Sequence, residues 1–527
     1  MPYTAIQAKG GATRTQARSL MPSKGLNLRD LPQLLDPNFA IKMINYISDA
    51  QGRLKKRKGI EQLFSTSGTD EVQMIEKFTD TIWIFGYDTT VAAYDSSTDT
   101  ITNIKADFTA GGTFVGARYG DYFFVSNGIE KIWRLDIPAA WNATEVTDSS
   151  PCTVMKVINT RLFTNSDTAG EVKYSRIDNG GNPPFTDWTV SDAADDAGGV
   201  NDRWIGNINS IEPLGENIVV FGDNGKFAFF INTIDSAGTL TKVEIFQMSR
   251  RDMGGASGAI ATDIGLVYMN EGGLWQLVSL GQPNIPFSDQ EFLSSTLLGT
   301  SYFDGADLSN ADIAYDEKQN LVLITYGDNS STNNAVLAYN IETKAFSQFR
   351  GWAFNRWLND DGTIYAGSSV ETTVYTCFVG YDDDGLSIGT EFEQELQLGP
   401  LETLKDLGKF YVQGFLTQGQ PVTISFNVYD RTGAFSVNRQ QYNWESQLTL
   451  GSGVGYDEMG YDGGAYGGDI DSSELVESFD GAMTGIKRVL RVRVNFSASD
   501  SAPHEINWFS LAAKDGPLAR RRQLELV

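Results

Sequence analysis

The chain has 527 residues, which is too long for one ordinary compact core unless that core is built from repeated units. Hydrophobic residues make up 41% and aromatic residues 12%, so the composition excludes an intrinsically disordered chain. The formal net charge is −26, yet residues 1–65 carry eleven Lys/Arg against four Asp/Glu, a net of +7. The remaining 30 basic and 63 acidic residues give −33, which argues against nonspecific nucleic-acid binding by the body of the protein.

Residues 1–65 are expected to form a basic N-terminal arm followed by the first strands. We predict a strand over Ala40–Ile47, a turn over 49–52 and then a basic run over 53–58. This run is either a solvated strand edge or a contact for a partner or phosphate. The first ten residues lack the apolar core of a signal peptide, and no apolar run is long enough to span a bilayer. We therefore expect a soluble protein.

Residues 66–385 repeat a phrase in which two short apolar runs flank a Gly, Asp or Asn turn. One copy, from Asn217, reads Asn-Ile-Val-Val-Phe-Gly-Asp-Asn-Gly-Lys-Phe-Ala-Phe-Phe. Such turn residues tolerate positive φ, so each copy is a predicted β-hairpin, and single hairpins are too small to be stable alone. The spacing of roughly 40–60 residues predicts an all-β fold with a β-propeller of about seven blades, or alternatively two stacked β-sandwiches. The candidate blade starts are Val72, Thr113, Met155, Asn209, Ala256, Asp312 and Trp357.

Several aromatic residues fall inside the predicted propeller strands, and we expect them to pack between neighbouring blades. They are Trp83, Trp133, Phe229, Trp275 and Tyr339.

Residues 386–527 are expected to form a C-terminal antiparallel β-sandwich-like domain, because the strands alternate between apolar and polar residues. Arg491 and Arg493 lie on one face of such a strand, so that face is either exposed or opposite acidic groups. Residues 456–468 are a Gly/Tyr-rich insertion too polar for a core, and we predict a long surface loop there.

Signals for catalysis and for metal binding are weak in this sequence. Cys152 and Cys377 lie among β-forming residues, which favours two buried thiols over a disulfide. His504 is the only histidine, and we predict a surface or hydrogen-bonded turn position for it. The Asp-rich turns at 192–199 and 381–385 are either plain solvated turns, which we favour, or Ca²⁺ sites, and they lack the alternating ligands and terminal Glu of an EF-hand loop. We therefore expect no enzymatic activity, no cofactor, and no catalytic or metal-binding residue.

Three stretches of the chain resemble the hub (packaged-DNA stabilisation) and nozzle (tail tubular) proteins of short-tailed bacteriophages. The first runs from Gly25 to Gly59 and contains Gly-Arg-Leu and Arg-Lys-Gly; the second runs from Tyr302 to Phe349-Arg-Gly-Trp. The third is the ending Ile486-Lys-Arg-Val-Leu-Arg-Val-Arg-Val with Ile506-Asn-Trp. The resemblance covers the layout of nearly the whole chain, but the motifs are short, and the 456–468 loop has no counterpart in it.

The resemblance implies a structural virion protein, made in the host cytoplasm and built into the phage tail. Such proteins form a ring, usually a hexamer, below the portal and head-tail adaptor, and double-stranded DNA passes through the channel without sequence-specific binding. No membrane partner is implied, and hub and terminal nozzle remain alternatives. The candidate contacts to other subunits or the adaptor are Arg14, Arg18, Arg53, Lys55, Lys56, Arg57, Lys58, Tyr456, Tyr461, Tyr466, Arg520, Arg521 and Arg522.

A receptor- or glycan-binding tail protein, with possible hydrolase activity, is the alternative from another class. Propellers bind sugars, and the 21 Tyr and 10 Trp residues leave room for a stacking site. An exposed aromatic cluster beside a carboxylate pair at the mouth of the propeller would favour this alternative. A cellular scaffold propeller is less favoured, because the regular signatures of WD40 repeats are missing.

Overall fold

The computed structural model shows an all-β architecture. In the part of the chain that it describes, the only helix is a 3₁₀ turn at Arg203–Ile205. The description covers all residues except 1–20, 32–34, 138–140, 147, 159–160, 176–196, 216, 233–241, 248–257, 271–272, 283–284, 293, 295–296, 300–301, 304–305, 398–404, 418–420, 430–434, 445–476, 483–490 and 516–527.

The chain divides into two compact units. The terminal unit comprises Met1–Arg57, Thr343–Ser347 and Gly385–Val527. The propeller unit comprises Lys58–Glu342 and Gln348–Asp384. Residues from both ends of the chain therefore belong to one unit, whereas the expected layout kept residues 1–65 apart from the C-terminal domain.

The predicted strand Ala40–Ile47 is divided in two at Asn45, whose φ of 57° departs from extended backbone. The Asn45 side chain is held from both sides: its amide donates to the carbonyl of Gly389 (2.7 Å), and its oxygen accepts from Nε of Arg57 (2.9 Å). The turn predicted over 49–52 is confirmed. The first strands are β1 (Lys42–Ile44), β2 (Tyr46–Ser48), β3 (Leu54–Lys56) and β4 (Gly59–Ser65).

Between residues 72 and 292 the chain forms five antiparallel sheets, each made of four successive strands. The first two sheets contain β5 (Val72–Lys77), β6 (Ile82–Tyr87), β7 (Thr90–Asp95), β8 (Thr100–Lys105), β9 (Val115–Tyr119), β10 (Tyr122–Ser126), β11 (Trp133–Asp136) and β12 (Asn142–Glu145). The next three contain β13 (Met155–Ile158), β14 (Arg161–Asn165), β15 (Glu171–Tyr174), β16 (Gly198–Asn201), β17 (Ile208–Leu214), β18 (Asn217–Gly222), β19 (Gly225–Asn232), β20 (Lys242–Gln247), β21 (Ala259–Thr262), β22 (Gly265–Asn270), β23 (Gly273–Gln282) and β24 (Ile285–Phe292).

Two further groups of four strands follow, one in the order β25-β26-β27-β28 and one in the order β29-β30-β31-β4, although the first three residues of β28, Ala345–Ser347, belong to the terminal unit. Strand β4 precedes the first sheet in sequence, yet it pairs antiparallel with β31, with Ser65 opposite Thr373. The last sheet thus takes its outer strand from the start of the unit. These strands are β25 (Ala306–Asp316), β26 (Leu321–Asp328), β27 (Ala335–Asn340), β28 (Ala345–Arg350), β29 (Phe354–Asp360), β30 (Thr363–Ser368) and β31 (Thr373–Val379), followed by the short β32 (Asp382–Asp383).

The first strands of successive sheets lie side by side in a closed ring. Their order is β5, β9, β13, β17, β21, β25 and β29, and β29 lies again beside β5. Sheets of four successive antiparallel strands arranged radially in this way are the β-propeller architecture. Each predicted blade start lies within one of these first strands or up to three residues before it.

Apolar side chains fill the spaces between neighbouring sheets. Phe64, Val72 and Val374 pack in one cluster, so the core is continuous from the last sheet to the first. In a second cluster, Phe163 of the third sheet and Phe229 of the fourth sheet pack together. Each such side chain contributes about 1.5–3 kcal/mol when fully buried. The aromatic residues expected inside strands are all found there: Trp83, Trp133, Phe229, Trp275 and Tyr339.

The terminal unit contains two five-stranded sheets, in the orders β36-β35-β38-β33-β1 and β2-β3-β39-β34-β37. Phenylalanine rings pack between them, with centroids 4.9 Å apart for Phe410 and Phe426 and 5.2 Å apart for Phe496 and Phe509. The remaining strands are β33 (Leu386–Gln397), β34 (Lys405–Leu416), β35 (Val422–Tyr429), β36 (Phe435–Trp444), β37 (Glu477–Ala482), β38 (Arg491–Asp500) and β39 (His504–Asp515).

The two arginines predicted to share a face of β38 meet acidic groups on β33. Arg491 pairs with Glu395, and Arg493 pairs with Glu393 and Glu395 at 3.1 Å each. Glu395 is only 2% exposed, so two guanidinium groups balance its buried charge. Of the two predictions for this face of β38, the one that places it opposite acidic groups is therefore confirmed.

Candidate functional site

The ring of first strands surrounds a cavity of about 420 Å³. Five charged side chains line it, each from a different first strand: Glu76 (β5), Lys156 (β13), Glu212 (β17), Asp312 (β25) and Arg356 (β29). Three negative and two positive charges leave a net of −1 when all are ionised. Because side chains alternate along a strand, one inward residue per strand is enough to line the cavity with charge.

The two cations of the cavity are held in different ways. Nζ of Lys156 lies 3.0 Å from Oε1 of Glu212, which is 7% exposed. This carboxylate in turn raises the pKa of Lys156. The Arg356 guanidinium instead donates to backbone carbonyls, at 2.8 Å to Gln73 and 2.9 Å to Asn355. Lys156 thus forms an ion pair with a carboxylate, whereas Arg356 mainly links strand β29 to strand β5 through hydrogen bonds to backbone carbonyls.

Burial is the main influence on the three carboxyl groups. It raises the pKa of Glu212 and of Asp312, although Lys156 and Arg356 respectively oppose the rise. Burial raises the pKa of Glu76 to about 7; Lys156 opposes this shift, and the negative charges of Asp312 and Asp360 add to it. A carboxyl group that titrates near neutrality inside a cavity is a feature of functional sites.

We expect Lys156→Met to destabilise the propeller unit by about 1–3 kcal/mol at pH 8, because Glu212 then keeps a buried charge without its partner. The lysine is 41% exposed, and solvent screening keeps the loss at the lower part of the range for buried pairs. The loss of stability should be smaller at pH 5, where Glu212 can take up a proton. Urea unfolding of the variant and the unmodified protein at both pH values measures the difference in unfolding free energy. Lys131→Met, at the exposed pair with Glu145, should cost less than about 1 kcal/mol, and equal losses would contradict this assignment.

The basic run predicted as a contact region is largely paired within the chain. Arg53 and Lys55 both approach Asp49 and Glu505, with 2.7 Å between Arg53 and Asp49. Arg57 is completely buried, where it bonds the Asn45 side chain. The prediction that the basic run 53–58 is a solvated strand edge is therefore wrong for the residues in the middle of the run.

Lys56 is also buried, at 4% exposure, and its ammonium group contacts the Asp500 carboxylate and the carbonyl of Ala502 (3.0 Å). Lys56 and Arg57 consequently cannot act as contacts to another subunit or the adaptor, because their charged groups are enclosed by their own chain. Lys58 is exposed. The other candidates lie outside the described residues: Arg14, Arg18, Tyr456, Tyr461, Tyr466, Arg520, Arg521 and Arg522.

His504 begins strand β39 and is buried, at 4% exposure, so the predicted surface position is wrong and the hydrogen-bonded alternative holds. Its Nε2 lies 2.9 Å from the hydroxyl of Tyr46 and 3.2 Å from that of Thr390. Its Nδ1 lies 3.2 Å from Oδ2 of Asp500. The histidine thus joins three strands in the interior of the terminal unit.

Both cysteines are buried thiols that form no disulfide, as predicted. Burial raises the pKa of Cys152 to about 12, so its thiol stays protonated near neutral pH. Within the described residues there is no group of three or more His, Cys, Asp or Glu side chains placed to hold a metal ion. No helix in that same part of the chain has the length and apolar character needed to cross a membrane.

Sequence reasoning did not single out the charged residues of the cavity. Each of them is an isolated charge in a strand, which is also what a solvent-facing strand position looks like. The signal was their placement: Glu76, Lys156 and Glu212 all lie in the first strand of their repeat, as do Asp312 and Arg356. Aligning the repeats on their first strands would have collected these charges in one strand of the repeat, although their distances from the start of that strand differ.

No family model matches the chain, and no curated protein matches it. Among solved structures, it is similar to the WD40 β-propeller domain of Doa1, with a TM-score of 0.38, 10% identity, and coverage of 60% of this chain and 96% of that one. It is similar to BamB from Moraxella catarrhalis, with a TM-score of 0.34, 10% identity, and coverage of 56% and 79%.

The chain is also similar to the extracellular domain of a hybrid two-component system from B. thetaiotaomicron, with a TM-score of 0.42 and 11% identity. That match covers 60% of this chain and only 39% of the other. Likenesses this distant carry no argument about function.

Proposed function

We propose that the chain is a structural virion protein of a short bacteriophage tail, a hub or nozzle that forms a ring, a hexamer, below the portal and adaptor. In this role it extends the DNA channel, helps to retain the packaged genome and then releases it, without enzymatic activity. The propeller would have seven blades, and the terminal unit would be a β-sandwich.

The observation that carries the proposal is the charge of the body, which is −33 over residues 66–527. DNA must slide through a channel during ejection, and an acidic wall repels phosphates where a basic wall would hold them. The pairing of the basic run supports the same role. Arg53 and Lys55 face Asp49 and Glu505, and Lys56 is buried against Asp500, so these cations are already neutralised.

The glycan-binding alternative gains no support from the cavity. Trp357 lines it but is 9% exposed, and its ring packs against Trp352 and Phe354 at centroid distances of 6.3 and 5.2 Å. A sugar needs an accessible ring face for stacking, and packing removes most of the Trp357 surface.

The test is immunogold electron microscopy of phage particles that contain the protein. Label at the vertex where head meets tail, or along a short tail, is the expected result. Label restricted to peripheral fibres would favour receptor binding instead, and unlabelled particles would remove the virion assignment.

We expect deletion of residues 1–24 to weaken incorporation into particles without unfolding the body. This segment is part of the basic arm, which could dock on an acidic neighbouring subunit or on the adaptor. Incorporation is measured by quantifying the protein in purified particles, and folding by circular dichroism of the free chain. A truncated protein that is incorporated normally would remove the docking role.

A further inference from the structure

Two Asn-Gly pairs occupy the same place in the repeat, at the turn between the second and third strands of a sheet. Asn127-Gly128 follows strand β10 in the second sheet, and Asn224-Gly225 lies where β18 turns into β19 in the fourth. An asparagine before glycine loses its side-chain amide more easily than one before other residues, because glycine has no Cβ to hinder the approach of its nitrogen to the asparagine Cγ. The two pairs share this chemistry and differ in their surroundings.

The fold holds Asn127 in place on every side. This residue is 1% exposed, and its side-chain nitrogen donates to the backbone oxygen of Thr109 at 2.8 Å. Its side-chain oxygen accepts from two backbone nitrogens, the nearer being that of Glu130 at 2.8 Å. The nitrogen of Gly128 donates to Oγ of Ser126 at 3.2 Å. Loss of the Asn127 amide therefore requires breaking several hydrogen bonds at a position that water does not reach.

Asn224 is exposed, and within the described part of the chain no hydrogen bond holds its side chain. Its Nδ2 lies beside Gly206, 2.8 Å from the place that a Cβ atom there would take. Its main chain is fixed by a hydrogen bond from its nitrogen to the oxygen of Ile205 at 2.8 Å. Gly225 lies opposite Gly222 in the last pair of the ladder between β18 and β19, and the end of a ladder opens more easily than its interior. The Asn224 side chain can therefore reach the nitrogen of Gly225.

We propose that Asn224 is a site of spontaneous deamidation. The backbone nitrogen of Gly225 gives up its proton and bonds to Cγ of Asn224, and the side-chain NH₂ group takes up a proton and leaves as ammonia. Water then opens the resulting cyclic imide at one of its two carbonyl groups. Opening at the former side-chain carbonyl gives aspartate. Opening at the backbone carbonyl gives isoaspartate, in which the main chain runs through the former side chain.

Either product changes the turn between β18 and β19. The new carboxylate stands beside Asp223, whose oxygens accept from the side-chain nitrogens of Asn207 at 2.8 Å and Asn209 at 3.0 Å. These two asparagines flank the first residue of β17, so repulsion between adjacent carboxylates acts on the contact that holds this strand start. Isoaspartate also lengthens the main chain of a two-residue turn by one atom. The site is independent of the proposed tail function, since the reaction requires neither a ring nor DNA.

The test is peptide mapping by mass spectrometry after incubation of the folded full chain at pH 8. Trypsin places the two asparagines in separate peptides, 119–131 and 204–226. Conversion at Asn224 should be at least about tenfold faster than at Asn127, whose hydrogen bonds must break first, and isoaspartate should be among its products. In urea, where the fold is lost, the two rates should become similar. Equal rates in the folded protein, an equally large difference in urea, or a product without isoaspartate would overturn the proposal.

Gly225→Ala tests the attacking nitrogen while keeping the asparagine. An added Cβ at Gly225 meets only Cγ2 of Ile205, at 4.0 Å, so the variant should fold normally, which circular dichroism verifies. Conversion at Asn224 should slow by about tenfold, because the methyl group hinders ring closure. The matched control is Gly389→Ala, where an added Cβ meets nothing within 4 Å, and it should leave the rate at Asn224 unchanged. The same rate in both variants would contradict attack by the Gly225 nitrogen and overturn the proposal.

Discussion

Replacing Gly59 with alanine should destabilise the propeller unit by more than about 4 kcal/mol. Gly59 begins strand β4, and a Cβ atom at this position would lie 1.5 Å from the backbone oxygen of Asp382 and 2.4 Å from its carbonyl carbon. Both obstacles are backbone atoms, so relief requires moving the main chain. That movement would disturb the pairing of β4 with β31, where Gly59 lies opposite Val379.

Urea unfolding followed by tryptophan fluorescence measures this effect, and limited proteolysis reports whether β4 is released. The matched control is Gly389→Ala in strand β33, where an added Cβ meets nothing within 4 Å. This control should stay within about 1 kcal/mol of the unmodified protein, because alanine suits a strand at least as well as glycine. Equal stability of the two variants would show that the chain at Gly59 yields easily, contrary to our expectation.

Replacing Lys56 with methionine should destabilise the terminal unit by about 3–5 kcal/mol, because it leaves the Asp500 carboxylate buried with less compensation. The side chains of Lys56 and Asp500 are 0% and 2% exposed, and the ammonium group also donates to the backbone oxygen of Asp500 at 2.6 Å. The double variant Lys56→Met with Asp500→Leu removes both charges. It should recover part of the loss, since apolar replacements of a buried pair are often tolerated.

The same pair predicts how stability changes in acid. Burial opposes the ionisation of Asp500, but His504 and Lys56 outweigh it and hold the pKa of this carboxyl below its usual range. A depressed pKa in the folded state gives stability that is complete above the unfolded value of about 4 and is lost as pH falls through the folded value. Unfolding free energies from pH 6 to pH 2 should show this decline, and it should be smaller for Lys56→Met. An identical decline in both proteins would contradict the role of Lys56.

The repeated hairpins could be read from the sequence because their information is local. Alternating residues and turn residues define a hairpin within about fifteen positions, as at Asn320, whose φ of 55° is the left-handed conformation expected of a turn. The blade starts and the buried thiols follow from such patterns, whereas for Arg491 and Arg493 the pattern gave only the shared face and left open whether it is exposed or opposite acidic groups.

Features that depend on distant partners could not be read in this way. The burial of Lys56 depends on Asp500, 444 residues further on, and Thr373 meets Ser65 across 308 residues. A run of lysines and arginines indicates a solvent-exposed segment until its partners are known. The carboxylates of the cavity were missed for the same reason, since Glu76 and Asp312 come together only when the first strands form a ring.

The origin of strand β4 also has a consequence for how the chain is made. The ribosome releases β4 first among the strands of the propeller unit, but its partner β31 emerges some 300 residues later. Synthesis at about 5–20 residues per second leaves the unpaired edge of β4 waiting for roughly fifteen seconds to a minute. An unpaired strand edge is a template for association with other chains. Nascent chains on the same mRNA therefore pass through a period in which β4 of one chain can pair with a strand of another. Slowing translation before residue 373 should lengthen this period and increase aggregation.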